Sequence, residues 1–278
     1  MSKLKLLAFD LDGTAITEHK YLSPGNREAL CRAQAAGVEL VPATGRMKTF
    51  LPQEILDLPG VRYAITANGA AVYDLKTGQP IYQRLIPNEK ARQVQGVLDG
   101  WDTYIEYYTQ GRAITKTGYP ELGKTHFALP RSKWHFIEDK DYLLVEDFGA
   151  MLRETGLCPE KINLPYVAPE EAHAKLWAQL EALGGLRLTS SIPDNIEINA
   201  GDAEKGSALL ALAEHLGLKR EELMAAGDNG NDVPMLRAAG FSVAVQDSSP
   251  EALAAADYVT GPHDQDGLAR AVERFLLG

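Results

Sequence analysis

The residues with the clearest capacity for chemistry are two aspartates, Asp10 and Asp12, spaced one residue apart. They follow the apolar run Leu6–Phe9, and Gly13-Thr14 comes directly after them. If this run is a buried strand, both carboxylates lie at its carboxyl end, where ligands bind in open α/β sheets. Two acids held close together suit a divalent cation, and one can attack an electrophile while the other moves protons. An ordinary Asp-Gly turn is the alternative interpretation.

A second polar cluster, Thr44-Gly45-Arg46, follows the apolar residues 41–43. It offers a hydroxyl group, backbone N–H groups and a guanidinium, all of which bind phosphate. Thr44 fits equally well as an ordinary helix cap. This cluster alone therefore leaves both interpretations open.

The third and fourth clusters add a cation and two more carboxylates. Lys205 begins an apolar helical segment, without the glycine spacing of a P-loop, and taken alone is a weak signal. Asp228, Asn231 and Asp232 follow another apolar run, residues 223–226. Asp232 also fits as a helix cap, but an EF-hand is excluded because Ala239 stands where its twelfth residue should be glutamate.

Taken together, the four clusters favour one site. Four carboxylates would repel one another unless a cation lay among them, and such repulsion is typical of functional sites. A lysine and a threonine close by could hold a dianion. The pattern therefore predicts a phosphoryl-transfer site assembled from strand ends.

Strands and helices must alternate to bring these clusters together. Alternation runs from a strand over residues 3–9 to about residue 85, and it returns after residue 188, as a parallel sheet requires. Residues 86–188 are predicted instead to form an α+β layer. The predicted fold class is α/β: a Rossmann-like parallel sheet core, residues 1–85 and 189–278, with an inserted α+β domain, residues 86–188. Residues 46–56 and 140–155 are predicted to be helical.

Composition excludes several classes of protein. The 278-residue chain is 45% hydrophobic, which suffices for a real core, and carries a net charge of −10. That charge argues against nucleic acid as a partner, because nucleic-acid binders carry basic stripes. Its two cysteines have no zinc-site spacing, and no segment is long and apolar enough to span a membrane. We expect a cytoplasmic enzyme, and the sequence gives no prediction of its oligomeric state.

The clusters resemble, in order and in spacing, the four motifs of the haloacid dehalogenase-like (HAD) superfamily. The matching segments are residues 10–14, 43–46, 205–206 and 227–235. The insertion lies between the second and third motifs, and an Asn68-Gly69 pair follows the second. This arrangement resembles the Cof-type phosphatases with a type-two (IIB) cap. The resemblance implies that the inserted domain is a cap that determines substrate specificity.

The resemblance also implies roles for individual residues. Asp10 would attack phosphorus and form an aspartyl-phosphate, and Asp12 would protonate the leaving alcohol and then activate water. Mg²⁺ would be held by Asp10, the Asp12 backbone carbonyl and Asp228. The remaining implied roles are catalytic phosphate binding by Thr44 and Lys205, phosphate or substrate contacts by Leu11, Gly45, Arg46 and Asn231, and orientation of Lys205 or a metal-bound water by Asp232.

The expected function is Mg²⁺-dependent hydrolysis of a small phosphorylated metabolite, either a sugar phosphate or a phosphorylated cofactor. A phosphomutase with the same intermediate and a non-catalytic sensor of a phosphorylated ligand are the alternatives. Residues 112–135 of the insertion carry candidate substrate contacts, with an ordinary exposed loop as the alternative. These candidates are Lys116, Tyr119, Lys124, His126 and Arg131.

Overall fold

The computed structural model describes residues 4–18, 20–138 and 140–278. Its strands are β1 (Leu6–Phe9), β2 (Ile16–Thr17), β3 (Tyr21–Leu22), β4 (Glu39–Pro42), β5 (Tyr63–Thr66), β6 (Ala71–Asp74), β7 (Gln79–Gln83), β8 (Glu106–Thr109), β9 (Arg112–Lys116), β10 (Tyr142–Val145), β11 (Lys161–Leu164), β12 (Leu186–Thr189), β13 (Ile196–Ala200), β14 (Leu223–Gly227), β15 (Phe241–Ala244) and β16 (Tyr258–Val259). Its α-helices are α1 (Pro24–Ala35), α2 (Gln53–Leu56), α3 (Asn88–Leu98), α4 (Tyr119–Leu122), α5 (His135–Glu138), α6 (Phe148–Thr155), α7 (Glu170–Glu181), α8 (Lys205–Leu216), α9 (Val233–Ala238), α10 (Pro250–Ala255) and α11 (Gly267–Val272).

These elements form two compact units. The first comprises the described residues of Met1–Arg46, Leu51–Gln83 and Glu204–Gly278. The second comprises Met47–Phe50 and the described residues of Arg84–Ala203.

The first unit is built on a parallel sheet with strand order β16-β15-β14-β1-β4. Alternate residues of β1 enter different cores: Leu7 packs in one cluster with Leu30 of α1, and Leu6 packs in another with Leu209 of α8. Because side chains of a strand alternate between its two faces, helices cover both sides of this sheet. The predicted Rossmann-like α/β core is confirmed.

The end of β4 connects this sheet to a smaller one. Ala43 forms an isolated parallel bridge with Ile65 of β5, and β5, β6 and β7 form an antiparallel sheet. The N–H of Thr44 donates to the Ile65 carbonyl at 2.9 Å. The chain just after β4 is therefore held by backbone hydrogen bonds on the side away from β1.

The second unit has a six-stranded sheet with order β10-β9-β8-β11-β13-β12, antiparallel except between β9 and β10. Its register places Tyr107, Ile162 and Ile198 on one face and the polar Glu106 and Asn163 on the other. All five side chains are buried. This mixed sheet with helices agrees with the α+β character predicted for the insertion.

The second boundary of the insertion differs from the sequence prediction. Residues 189–203 were expected in the core, but they belong to the second unit. The reason is strand pairing: β13 lies between β11 and β12 in the six-stranded sheet. The sequence of β13 does not show to which sheet the strand belongs, because strands of both units are buried.

Two predicted helices were wrong in part. Residues 46–56 contain only a short 3-10 turn, Lys48–Phe50, followed by α2, because Pro52 cannot donate the hydrogen bond that a continuous helix requires. Residues 142–145 form strand β10, paired with β9, and the helix begins only after Asp147, which caps it. The first strand begins at Leu6, and residue 3 of its predicted range lies outside the described residues.

Two further expectations concern membranes and cysteines. Across the described part of the chain, every helix is too short or too polar to cross a bilayer. Cys31 and Cys158 are both free thiols.

Gly69 provides a test of how tightly the first unit is packed. Its φ of +92° disfavours any side chain, and an added Cβ would lie 2.1 Å from the Glu204 carbonyl oxygen. We expect Gly69→Ala to lower the free energy of unfolding by at least about 2 kcal/mol more than Gly37→Ala does. Gly37 is the matched control, since its φ is +91° but an added Cβ meets nothing within 4 Å. Urea denaturation measures both, and equal losses would contradict the packing.

Candidate active site

The candidate site lies at the carboxyl ends of three neighbouring strands. Asp10 follows β1, Thr44 follows β4 and Asp228 follows β14, and β1 lies between the other two. The Asp10 N–H donates to the Ala226 carbonyl at 2.9 Å, so it continues the ladder between β1 and β14. The structure thus brings together side chains that are far apart in sequence, as the strand pattern predicts.

Lys205 is the centre of the site. Its ammonium donates to Asp10 Oδ1 at 2.5 Å and to Asp232 Oδ1 at 2.6 Å, and its side chain is fully buried. Burial alone would lower the pKa of Lys205, but the two carboxylates raise it above its ordinary value. The lysine is therefore charged and joins the nucleophile candidate at β1 to the loop after β14.

Asp232 organises that loop. While Oδ1 accepts from Lys205, Oδ2 accepts the backbone N–H groups of Asp228 at 3.0 Å and Asn229 at 3.1 Å. The residue is completely buried. Both oxygens of this carboxylate thus accept hydrogen bonds from other parts of the site. This arrangement is consistent with the predicted role of Asp232 in orienting Lys205.

The same carboxylates form a candidate metal site. One oxygen each from Asp10, Asp228 and Asp232 lie within 4.8 Å of one another. Burial, opposed by Lys205, raises the pKa of Asp10 well above its ordinary range. Burial and the charge of Asp232 raise the pKa of Asp228 to about 6. Two buried carboxylates and a half-buried one, with one ammonium among them, fit a hard divalent cation, because oxygen ligands and excess negative charge are what Mg²⁺ requires.

Thr14 has a part in this cluster that the sequence did not indicate. Its hydroxyl donates to Asp228 Oδ1 at 2.7 Å, and the residue is completely buried. The hydroxyl opposes the rise in the pKa of Asp228. A threonine after an Asp-Gly turn predicts a hydroxyl near the turn, but not a partner more than two hundred residues away.

Asp12 is held by Arg46. The guanidinium donates from Nε to Asp12 Oδ2 at 2.8 Å and from Nη2 to Oδ1 at 2.6 Å. The Arg46 side chain is 9% exposed and that of Asp12 is 33% exposed. Arg46 was expected to contact phosphate or substrate, whereas in the structure its fork holds the predicted acid–base residue.

Thr44, Gly45 and Leu11, which were also predicted to contact phosphate, lie in two loops that hydrogen bonds hold in place. Thr44 is buried and its hydroxyl accepts the N–H of Arg46 at 3.1 Å, which fixes the intervening Gly45 in a tight turn. The Leu11 carbonyl accepts the N–H groups of Ala15 at 3.0 Å and Ile16 at 2.9 Å. These bonds shape the two loops after β1 and β4.

Asn231 contacts a residue to which the sequence assigned no role. Its side-chain nitrogen donates to the side-chain oxygen of Asn68 at 3.2 Å. Asn68 is buried, with a left-handed φ of 59°. The sequence feature that could have pointed to Asn68 is the Asn68-Gly69 pair directly after the buried strand β5.

Three of the five candidate substrate contacts of the insertion have side-chain partners within the second unit. Lys124 bonds to Glu138 and also lies over the Trp134 ring, His126 bonds to Asp102, and Arg131 lies over Trp134. These contacts stabilise the segment locally. They support the ordinary structural interpretation for Lys124, His126 and Arg131.

Comparison with known proteins decides the family. The haloacid dehalogenase-like hydrolase family profile matches residues 7–272. The chain belongs to this family. It is 30% identical to a phosphatase of Bacillus subtilis, YwpJ, over 98% of this chain and 100% of that protein. It is 28% identical to a pyridoxal phosphate phosphatase of Escherichia coli, YbhA, over 98% and 99% of the two chains.

Solved structures agree with this assignment. A HAD subclass IIB sugar phosphatase superposes with a TM-score of 0.79 at 25% identity, covering 98% of each chain. A HAD-like hydrolase from B. subtilis gives a TM-score of 0.82 at 27% identity, covering 98% of this chain and 99% of the other. The predicted Cof-type IIB resemblance and the enzyme class, a phosphoric monoester hydrolase, are confirmed.

The carboxylate cluster predicts how the protein responds to divalent cations. The pKa of Asp228 is about 6 in the folded protein and 3.8 ordinarily, so the folded state holds this proton more tightly than the unfolded state. Ionisation of Asp228 therefore lowers the free energy of unfolding as the pH rises from about 4 through 6. We expect Asp228→Asn to be at least as heat-stable as the wild type without metal at pH 7.5. We also expect the variant to lose the rise in Tm that MgCl₂ gives the wild type. Differential scanning fluorimetry measures both.

A matched substitution controls for the loss of one negative charge. Asp264 is exposed and outside the cluster, so Asp264→Asn is expected to keep the full response to MgCl₂. A wild-type Tm that does not change with Mg²⁺, or a full response in Asp228→Asn, would contradict the metal site.

Proposed function

We propose that this protein is a Mg²⁺-dependent phosphatase of small phosphorylated metabolites that acts through an aspartyl-phosphate on Asp10. The observation that carries the proposal is the position of Asp10 at the end of β1. Its carboxylate is held by Lys205 at 2.5 Å and lies beside Asp228, while Asp12 is only one residue further along the chain. A candidate nucleophile, Asp10, a candidate acid–base group, Asp12, and a candidate phosphate-binding cation, Lys205, therefore lie close together.

In the first step, the Asp10 carboxylate attacks phosphorus, and a new P–O bond forms as the bond to the leaving alcohol breaks. Lys205 fixes the orientation of the carboxylate and contributes positive charge near the phosphoryl oxygens. In the second step, water attacks the phosphorus of the aspartyl-phosphate, which returns Asp10 to its carboxylate and releases phosphate.

Asp12 is assigned the proton transfers. It would protonate the leaving oxygen in the first step and accept the proton of the attacking water in the second. Arg46 fixes the Asp12 carboxylate through two hydrogen bonds. We assign Arg46 this positioning role in addition to any contact it makes with phosphate.

The metal would be held by Asp10, Asp228 and the backbone carbonyl of Asp12. When bound, Mg²⁺ would supply positive charge that offsets the repulsion between the carboxylates and a phosphate dianion. Thr44, the backbone N–H groups at Leu11 and Gly45, and the Asn231 amide are the proposed contacts to the remaining phosphoryl oxygens.

The second unit is proposed to determine which leaving group is accepted. Its sheet carries buried ion pairs on the polar face, Lys140 with Glu106 at 2.7 Å and Lys161 with Glu197 at 2.6 Å. These charges are almost completely buried and paired with one another, so they give this face a fixed polar structure and are not themselves ligand contacts. The relatives act, by their names, on a sugar phosphate and on pyridoxal phosphate.

The net charge of −10 supports small metabolites over nucleic acids as partners. A cytoplasmic location stays a prediction.

The test is phosphate release from a panel of sugar phosphates, nucleotides, pyridoxal phosphate and an aryl phosphate, with Mg²⁺ and with EDTA. We expect release that requires the metal and falls to background in Asp10→Asn, because an amide cannot act as the nucleophile. Analysis of the product distinguishes hydrolysis from a mutase, which returns the phosphoryl group to the substrate. Folded protein that releases no phosphate from any ester would overturn the proposal and favour a sensor.

Arg46→Lys tests the assigned partner of Asp12. Lysine keeps the charge but loses the paired hydrogen bonds, so Asp12 is held less firmly. We expect kcat/KM on sugar phosphates to fall about tenfold or more, and kcat/KM on an aryl phosphate to fall much less, because a phenolate leaves without a proton. This ratio is compared because it excludes the later hydrolysis of the aspartyl-phosphate, which is common to both classes of substrate. Equal losses on both classes of substrate would instead indicate that Arg46 acts on the phosphate itself.

A further inference from the structure

A short loop after β5 has an unusual backbone. Ala67, Asn68 and Gly69 have successive positive φ angles of 49°, 59° and 92°. For alanine this conformation costs free energy, and such residues persist only where the surrounding structure holds them. All three residues are buried. The proposed mechanism uses none of them.

The loop braces the phosphate-binding turn after β4. The Ala67 N–H donates to the Arg46 carbonyl at 2.8 Å, and the Asn68 N–H donates to the Thr44 carbonyl at 3.1 Å. These bonds, with that of Thr44 to Ile65, fix the backbone on either side of Gly45.

The loop also lies against the start of α8. Gly69 approaches the Glu204 carbonyl so closely that only a glycine fits there. The next residue is Lys205, the ammonium that joins Asp10 to Asp232. The backbone of the loop therefore contacts two of the segments that form the site.

The Asn68 side chain reaches a third segment. Its oxygen accepts a hydrogen bond from the Asn231 amide at 3.2 Å, and Asn231 lies in the loop that carries Asp228 and Asp232. An asparagine can adopt a left-handed φ at small cost, as a turn alone would require. A turn does not explain why its buried amide is aimed at Asn231.

We propose that Asn68 is a positioning residue that orients the Asn231 amide for contact with the phosphoryl group. This inference rests on the proposed function, in which Asn231 binds phosphate. The side-chain oxygen of Asn68 accepts one amide hydrogen of Asn231, which fixes the plane of that amide. The other amide hydrogen and the carbonyl oxygen of Asn231 are then held in one orientation relative to Lys205 and Thr44.

The test variant is Asn68→Gly, which allows the left-handed backbone and removes only the side chain. We expect kcat/KM to fall on the order of five- to tenfold and the inhibition constant of inorganic phosphate to rise by a similar factor, as expected for one neutral hydrogen bond. A purely structural role would lower Tm or the fraction of active enzyme, but would leave KM and the phosphate inhibition constant unchanged.

A control and a double variant complete the experiment. Ala67→Gly adds the same flexibility to the loop and keeps the Asn68 amide, so its phosphate inhibition constant is expected to match the wild type. In the Asn231→Ala background, Asn68→Gly is expected to cause little further loss, because Asn68 acts through Asn231.

Three results would overturn the inference: an unchanged inhibition constant in Asn68→Gly, the same rise in Ala67→Gly, or fully additive losses in the double variant. Failure of the wild type to release phosphate from any ester would instead count against the proposed function. The two failures are therefore distinguishable.

Discussion

The site depends on one buried interaction, the contact of the Lys205 ammonium with Asp10 and Asp232. A lysine without solvent contact is tolerated only where carboxylates offset its desolvation, and two buried carboxylates require a cation for the same reason. Each group is therefore stable only in the presence of the others. The interaction joins the end of β1, the start of α8 and the loop after β14. The ion-paired cluster therefore forms only when all three segments have folded into place.

The sheet order makes this interaction possible. β1 lies between β14 and β4, and parallel strands with short carboxyl-terminal loops bring their polar ends to one edge. A charge imbalance remains, since the carboxylates of Asp10, Asp228 and Asp232 lie together and the Lys205 ammonium pairs with two of them. Burial, together with repulsion from the neighbouring carboxylates, raises the pKa of Asp10 and of Asp228, and the excess of negative charge is the physical reason to expect a bound cation.

Much of this arrangement could be predicted from the sequence because the signals are local. An apolar run ending at Asp10, and another ending just before Asp228, indicate strand ends directly, and alternation of strands and helices indicates a parallel sheet. The insertion was also evident, but its second boundary was not. In β13, apolar and polar residues alternate and all are buried, as in a strand of the first unit. Only the pairing of β13 with β11 and β12 assigns it to the second unit.

Side-chain partners could not be predicted in the same way. Arg46 has the chemistry of a phosphate ligand, and nothing in its local sequence indicates that its fork holds Asp12. The contacts of Thr14 with Asp228 and of Asn68 with Asn231 join loops distant in sequence. Such pairs follow from the strand order and from backbone conformation, and become visible only when the chain is folded.

The central claim is that Asp10 carries the phosphoryl group during the reaction. The most direct measurement uses Asp12→Ala, which should still react with an aryl phosphate but should hydrolyse the aspartyl-phosphate slowly. After acid quenching in the presence of Mg²⁺, peptide mass spectrometry should find one phosphoryl group on the peptide that contains Asp10. A phosphoryl group on any other residue, or turnover with an unmodified protein at every quench time, would contradict the account.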